Sequence, residues 1–328
     1  MSPLPPLLDV RRARTAPSGA TAPDRSGGYD DALDDAELRA ARAALVQGRR
    51  QAARSLLLRT GDDWDRRGHR LAALAREPYA AAWASDWLQD EPGSPDAAAL
   101  LALARVQRAL RGREDPGSAR EACGRAAALA PADPTPWLGL LRLARTAGPE
   151  REVLDAFAEV RSRHPEHHHA HHLLVARLAE RPSGGRPESH QVYDFAELAA
   201  AEAPADSPLA VLPVVALAER HRVLATTGHA PADPAAQAHW SGPRARRMLR
   251  AGFDWWLEWE HDEHPRRHID LNHLAFALSC ADRPAEAAVL FRRIGAHATR
   301  APWCYPHRDP RAAFRAARAR ARAFLTNP

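Results

Sequence analysis

The chain has 328 residues, 45% hydrophobic and 27% charged, which is enough apolar material for a sizeable core and too little charge for an unfolded polyelectrolyte. Its net charge is +5, yet all 46 basic residues are Arg; an Arg- and Ala-rich chain without Lys follows codon bias, which disfavours a dedicated nucleic-acid binder. Three scattered cysteines form neither a disulfide framework nor a zinc motif. No apolar run reaches the ~18–20 residues of a membrane span, and the N-terminus lacks the order of a signal peptide, so a cytoplasmic protein is expected.

Residues 1–30 are rich in Pro, Ser, Gly and Arg without periodicity and read as a disordered tail. From residue 31 the pattern is helical to the end, giving one domain over 31–328. Leu38, Ala41, Ala44 and Leu45 share one helix face, and after Gly48 the residues Ala52, Ala53, Leu56 and Leu57 continue the pattern to Gly61. A third helix starts at Asp62 and runs to Arg76. Trp83 and Trp87, at i and i+4 in the fourth, belong to the core. Further helices are expected over 95–111, 119–130, 166–181, 190–203, 209–224, 243–261, 268–280 and 285–295. A last Arg- and Ala-rich helix over 311–325, within the segment 305–328, caps the array. No segment reads as a strand.

The stretch from Pro131 to Pro165 organises this series. It holds two helices joined at Gly148–Pro149, and its prolines stand 34 residues apart (165 − 131). Pro92, Pro131, Pro165 and Pro204 are spaced 39, 34 and 39 residues, the excess falling in two loops. This period resembles the tetratricopeptide repeat. With Pro131 and Pro165 at repeat position 32, Trp137 falls at 4, Leu140 at 7 and Phe157 at 24. Ala119 and Ala126 fall at the small positions 20 and 27, and Leu274, Ala275, Leu278, Ala287, Phe291 and Ile294 fit a later copy. Leu141, Val153 and Val160 are larger than the family's small positions. The stretches around Tyr193 and Leu274 also resemble uncharacterised actinobacterial repeat proteins. The resemblance implies an all-α fold, a right-handed superhelix of antiparallel helix hairpins, whose concave groove binds a protein or peptide.

In that frame Arg142, Arg145, His169 and His172 face the groove, where arginines favour an acidic or carboxylate-bearing partner. His171 takes the place of Trp137 and is expected in the core, as is Cys123; Cys304 is expected to be exposed. No nucleophile elbow or phosphate-binding Gly loop is present. The run from His164 to His172 contains i, i+4 pairs that suit a transition metal, with His168 as a candidate ligand. A second set, His261, His264, His268 and His273 with Asp262, Glu263 and Asp270, has metal-ligand types at a spacing that fits no single helix face and reads as a polar loop. These sets carry the alternative reading, a metal-dependent or biosynthetic enzyme on a helical scaffold. Trp255 and Trp259 lie on a wide aromatic face of a helix whose N-terminal half carries Arg244, Arg246, Arg247 and Arg250. That face is either buried between repeats or a contact surface.

Overall fold

The computed structural model describes residues 29–182, 190–228, 238–259 and 263–326. Among these residues there are fifteen α-helices and no strand. They are α1 (Ala36–Val46), α2 (Gln51–Thr60), α3 (Trp64–Leu74), α4 (Ala80–Asp90), α5 (Pro95–Ala109), α6 (Pro116–Leu129), α7 (Thr135–Ala147) and α8 (Glu150–Arg163). Then follow α9 (His168–Ala179), α10 (Gln191–Glu202), α11 (Leu212–Thr226), α12 (Pro243–Glu258), α13 (Arg267–Cys280), α14 (Pro284–Ile294) and α15 (Pro310–Thr326). None of the described helices is long and apolar enough to cross a membrane.

Helix starts are written in polar side chains and prolines. Ser94 and Asp115 accept hydrogen bonds from the amides of Ala97 and Ser118, with Pro95 and Pro116 in the first turn. Helix α9 begins two residues later than the apolar pattern suggests, because His167 acts as its cap through Nδ1.

Helices α5, α7, α9, α11 and α13 pack against one another in succession, and α6, α8, α10 and α14 pair with them as hairpin partners. The two sets differ as their positions require. Helix α8 buries only Val153, Ala156, Phe157 and Val160, a single stripe. Helix α11 buries every residue from Leu212 to His221, and α13 nearly every one from His268 to Leu278, because neighbours surround them. Gly139 permits one close approach; a Cβ there would lie 2.9 Å from Leu103 and 3.2 Å from Cys123. Cys123 is buried as expected, and burial raises its thiol pKa to about 12. Trp83 and Trp87 are in the core, 5.6 Å apart. Helix α12 buries Met248, Leu249, Gly252, Phe253 and Trp256, and Arg244 at its N-terminal end pairs with Asp194 and Glu197 of α10, which offsets the unfavourable helix dipole. Cys304 is half-buried rather than exposed.

Helix α3 departs from the hairpin series. Besides its chain neighbour α2, it packs against α5, α7 and α9. Arg67, 5% exposed, reaches Asp96 in the first turn of α5 at 2.6 Å and Asp133 just before α7 at 2.8 Å. Asp133 also accepts the Thr135 amide. One turn on, the buried Arg70 binds Asp35, the cap of α1, and Glu37. The start of the described chain then meets its end: Asp34 pairs with Arg267, Arg66 donates to the Glu263 carbonyl, and Arg311 stacks on Tyr29.

Replacing Arg67 by Ala strands two carboxylates beside α5 and α7, and is expected to cost about 3–5 kcal/mol in urea unfolding. Adding Asp96→Asn and Asp133→Asn should restore much of the loss. Full additivity of the three substitutions would show that no clamp exists.

Candidate functional site

Residues from α3, α7, α9, α11, α13, the segment before α1 and the loop before α15 enclose a chamber of about 830 Å³. Beside it lies a network of buried imidazoles around two carboxylates.

The first carboxylate is Asp65 of α3. It accepts the backbone amide of His168 at 3.0 Å, placing a negative charge at the N-terminus of α9. His164 Nε2 lies 2.9 Å away, with His264 and His167 at 3.5 Å. Burial alone would raise the Asp65 pKa, but the His164 and His264 hydrogen bonds outweigh it and hold the group well below the carboxylate range. Burial likewise pushes His164 down, and its hydrogen bond to Asp65 more than reverses this.

The second carboxylate is Asp270 of α13. It lies 2.7 Å from His168 Nε2 and 3.2 Å from His172 Nε2. Burial disfavours its charge, yet the two imidazoles hold it ionised, while burial holds His168 neutral. Arg266 Nε donates to His168 Nδ1 at 3.3 Å. That assigns the tautomer: Nδ1 accepts from Arg266, and Nε2–H donates to Asp270. His168 is thus a neutral bridge between a guanidinium and a carboxylate.

The two histidine sets of the sequence are therefore one cluster. The His168 and His264 rings are 4.6 Å apart, and His268, paired with Asp34, lies 4.4 Å from His297. The polar-loop reading of the second set fails for His268, which is buried, and for His264, which is 10% exposed at its side chain. His261 and Asp262 lie outside the described residues. His171 packs between Phe157 and Phe195, as its repeat position implies.

The ligand atoms of His168, His172 and Asp270 all lie within 4.8 Å of one another, the donor set of many zinc and iron sites. Their surroundings fit a metal poorly. An imidazole bound to metal through Nε2 carries its proton on Nδ1 and hands it to an acceptor. The Nδ1 of His168 faces Arg266, which has only donors.

Arg142, Arg145, His169 and His172 all line the chamber, whereas Trp255 and Trp259 do not. They border a separate cavity of about 370 Å³ with Trp256, and Trp255 donates to the Ala205 carbonyl. Tyr29 and Asp30, read from sequence as tail, form part of the chamber wall.

The chamber's carboxylates all have cationic partners. Asp30 pairs with Arg39 and Arg42, Asp31 with Arg76, and Glu219 with Arg222 while also accepting the Tyr305 hydroxyl. Its arginines are less evenly matched. Arg145 reaches Glu180 at 3.3 Å. Arg142, 9% exposed, bonds only Gln107, and its Nη1 has no hydrogen-bond partner. Neither Arg142 nor Arg300 has a carboxylate within 4.0 Å among the described residues. Burial lowers the Arg142 pKa to about 10. His69 Nε2 and His169 Nδ1, in the same wall, are also buried without partners.

Asp65, Arg266 and His69 do not emerge from the repeat frame or the histidine sets, whereas Asp270 belongs to the second set. The available signal is polar residues where a helix has no polar face, as in Asp270, Asn272 and His273 of α13. No protein-family model matches the chain, and no curated protein is significantly similar to it.

Burial pushes the imidazole pKa of His69 down to about 3 and those of His167, His171, His239 and His273 to about 4. The unfolded chain protonates these rings near 6.5. The folded state holds them neutral, so the stability present above pH 6.5 is lost as pH falls towards 4. Urea midpoints should fall between pH 7.5 and 5, with protons taken up on unfolding. Substituting His171→Phe should remove about one of those protons. A flat pH profile would contradict neutral burial.

Proposed function

We propose that the chain is a binding protein built on a tetratricopeptide-like helical-hairpin array, and that its central chamber takes up an anionic small molecule or the acidic end of a peptide. The serial packing of α5, α7, α9, α11 and α13 and the 34-residue frame support a right-handed superhelical arrangement. One observation carries the binding reading: Arg142 is buried in the chamber wall without a carboxylate partner. An uncompensated buried guanidinium costs free energy in the empty protein, and an anion beside it would recover that cost. The volume falls within the range of small-molecule sites and is too small for a helix to lie along.

The rival reading, a metal-dependent enzyme, draws on His168, His172 and Asp270. The position of Arg266 weighs against it and favours a relay in which Asp270 orients His172 at the chamber wall.

The two readings separate on one variant and one metal assay. Replacing Arg142 by Met should raise the thermal midpoint of the empty protein, since it removes a desolvated charge. The same variant should weaken binding of carboxylate and phosphate probes by at least about thirtyfold, corresponding to ~2 kcal/mol. Anion binding unchanged in the variant would refute the chamber assignment. Retention of about one equivalent of Zn or Fe by untagged protein after chelator dialysis would move the conclusion to the enzyme.

A further inference from the structure

The charges around the chamber narrow the ligand further, given that it binds an anion at Arg142. We propose that this anion is the phosphoryl group of a phosphate monoester. Every chamber carboxylate is already met by an arginine, and the buried Arg266 is balanced by Asp270 through the neutral His168, which leaves Arg142 and the exposed Arg300 over: two positive charges, not one. A single carboxylate balances one of them. A phosphate monoester carries about −1.5 to −2 at neutral pH and balances both.

The donors also come from more than one element. A carboxylate is planar and is met best by one guanidinium fork in its own plane. Here the chamber groups with an unpartnered polar atom, Tyr29 and Arg145 among them, come from several elements. His69 belongs to α3, Arg142 to α7 and His169 to α9, and their unpaired atoms are Nε2, Nη1 and Nδ1. Each neutral imidazole can donate one N–H, and a phosphoryl group offers three terminal oxygens to such donors where a carboxylate offers two. The remainder of the wall includes Leu173 and Ile269, and the volume far exceeds that of phosphate alone. An organic body attached to the phosphoryl group would fill that space.

Calorimetric titration of the full chain with inorganic phosphate, phenyl phosphate, benzoate and succinate, at matched ionic strength, tests this. Phenyl phosphate is expected to bind at least about tenfold tighter than benzoate or succinate, and inorganic phosphate to compete with it. Arg142→Met should abolish binding of both classes. Arg300→Gln, at an exposed position where folding is not at stake, and His169→Leu should erase the preference for phosphate and leave benzoate binding intact. Benzoate or succinate binding as tightly as phenyl phosphate, with loss on Arg142→Met, would overturn the phosphoryl assignment while sparing the anion reading. Absence of binding by all four probes up to about 10 mM would overturn both.

Discussion

A guanidinium buried away from water is unfavourable by several kcal/mol unless carboxylates meet it closely, and Arg67 is met by two. Those carboxylates, Asp96 and Asp133, stand at the N-terminal ends of α5 and α7. Asp65, two residues before Arg67, occupies the same place at α9, and Arg70 holds the cap of α1. A single three-turn helix thus gathers the starts of four others through complementary charge. Apolar packing would hold α3 against these helices in many registers. Paired charges at fixed points select one, and with it the positions of His69 and Arg76 in the chamber wall.

The cost of this arrangement is a polar interior. Glu219, Arg220 and His221 follow one another in the middle of a buried helix, and α13 buries Asp270, Asn272 and His273. Most of these groups are satisfied. Asn272 accepts from Trp303 and donates to two carbonyls, tying the loop before α15 to α13. Arg142 is a departure from that rule, with one terminal nitrogen unpartnered. A chain that matches Asp30, Asp31 and Glu219 so fully leaves a buried, unmatched guanidinium, Arg142, in the chamber wall.

The hairpins were legible in the chain because they depend on local facts: periodic apolar residues, proline turns and capping side chains. The frame set by Pro131 and Pro165 placed His171 and Cys123 in the interior and set Arg142, Arg145, His169 and His172 on one surface. It could not place α3, whose partners Asp133 and His168 lie 66 and 103 residues away. It also separated His168 from His264 and His268, since these sets meet through α9 and α13 and not along one helix. Reading polar residues as solvent-facing fails where they neutralise one another inside, and the helical period carries no information about which distant charge will arrive. Tyr29 and Asp30 were missed for a related reason: a segment without periodicity can still be held by arginines that belong to other helices.

The contact between the two ends of the described chain has a further consequence. In an open stack of repeats each unit touches only its neighbours, so the stack can lengthen or shorten by a unit and can fray from either end. Here Asp34 is fixed to Arg267, and Arg66 to the Glu263 carbonyl. Removing or duplicating one hairpin between α5 and α12 would move those partners apart by the width of a helix pair. Any such change would therefore break both contacts unless their partners changed with it.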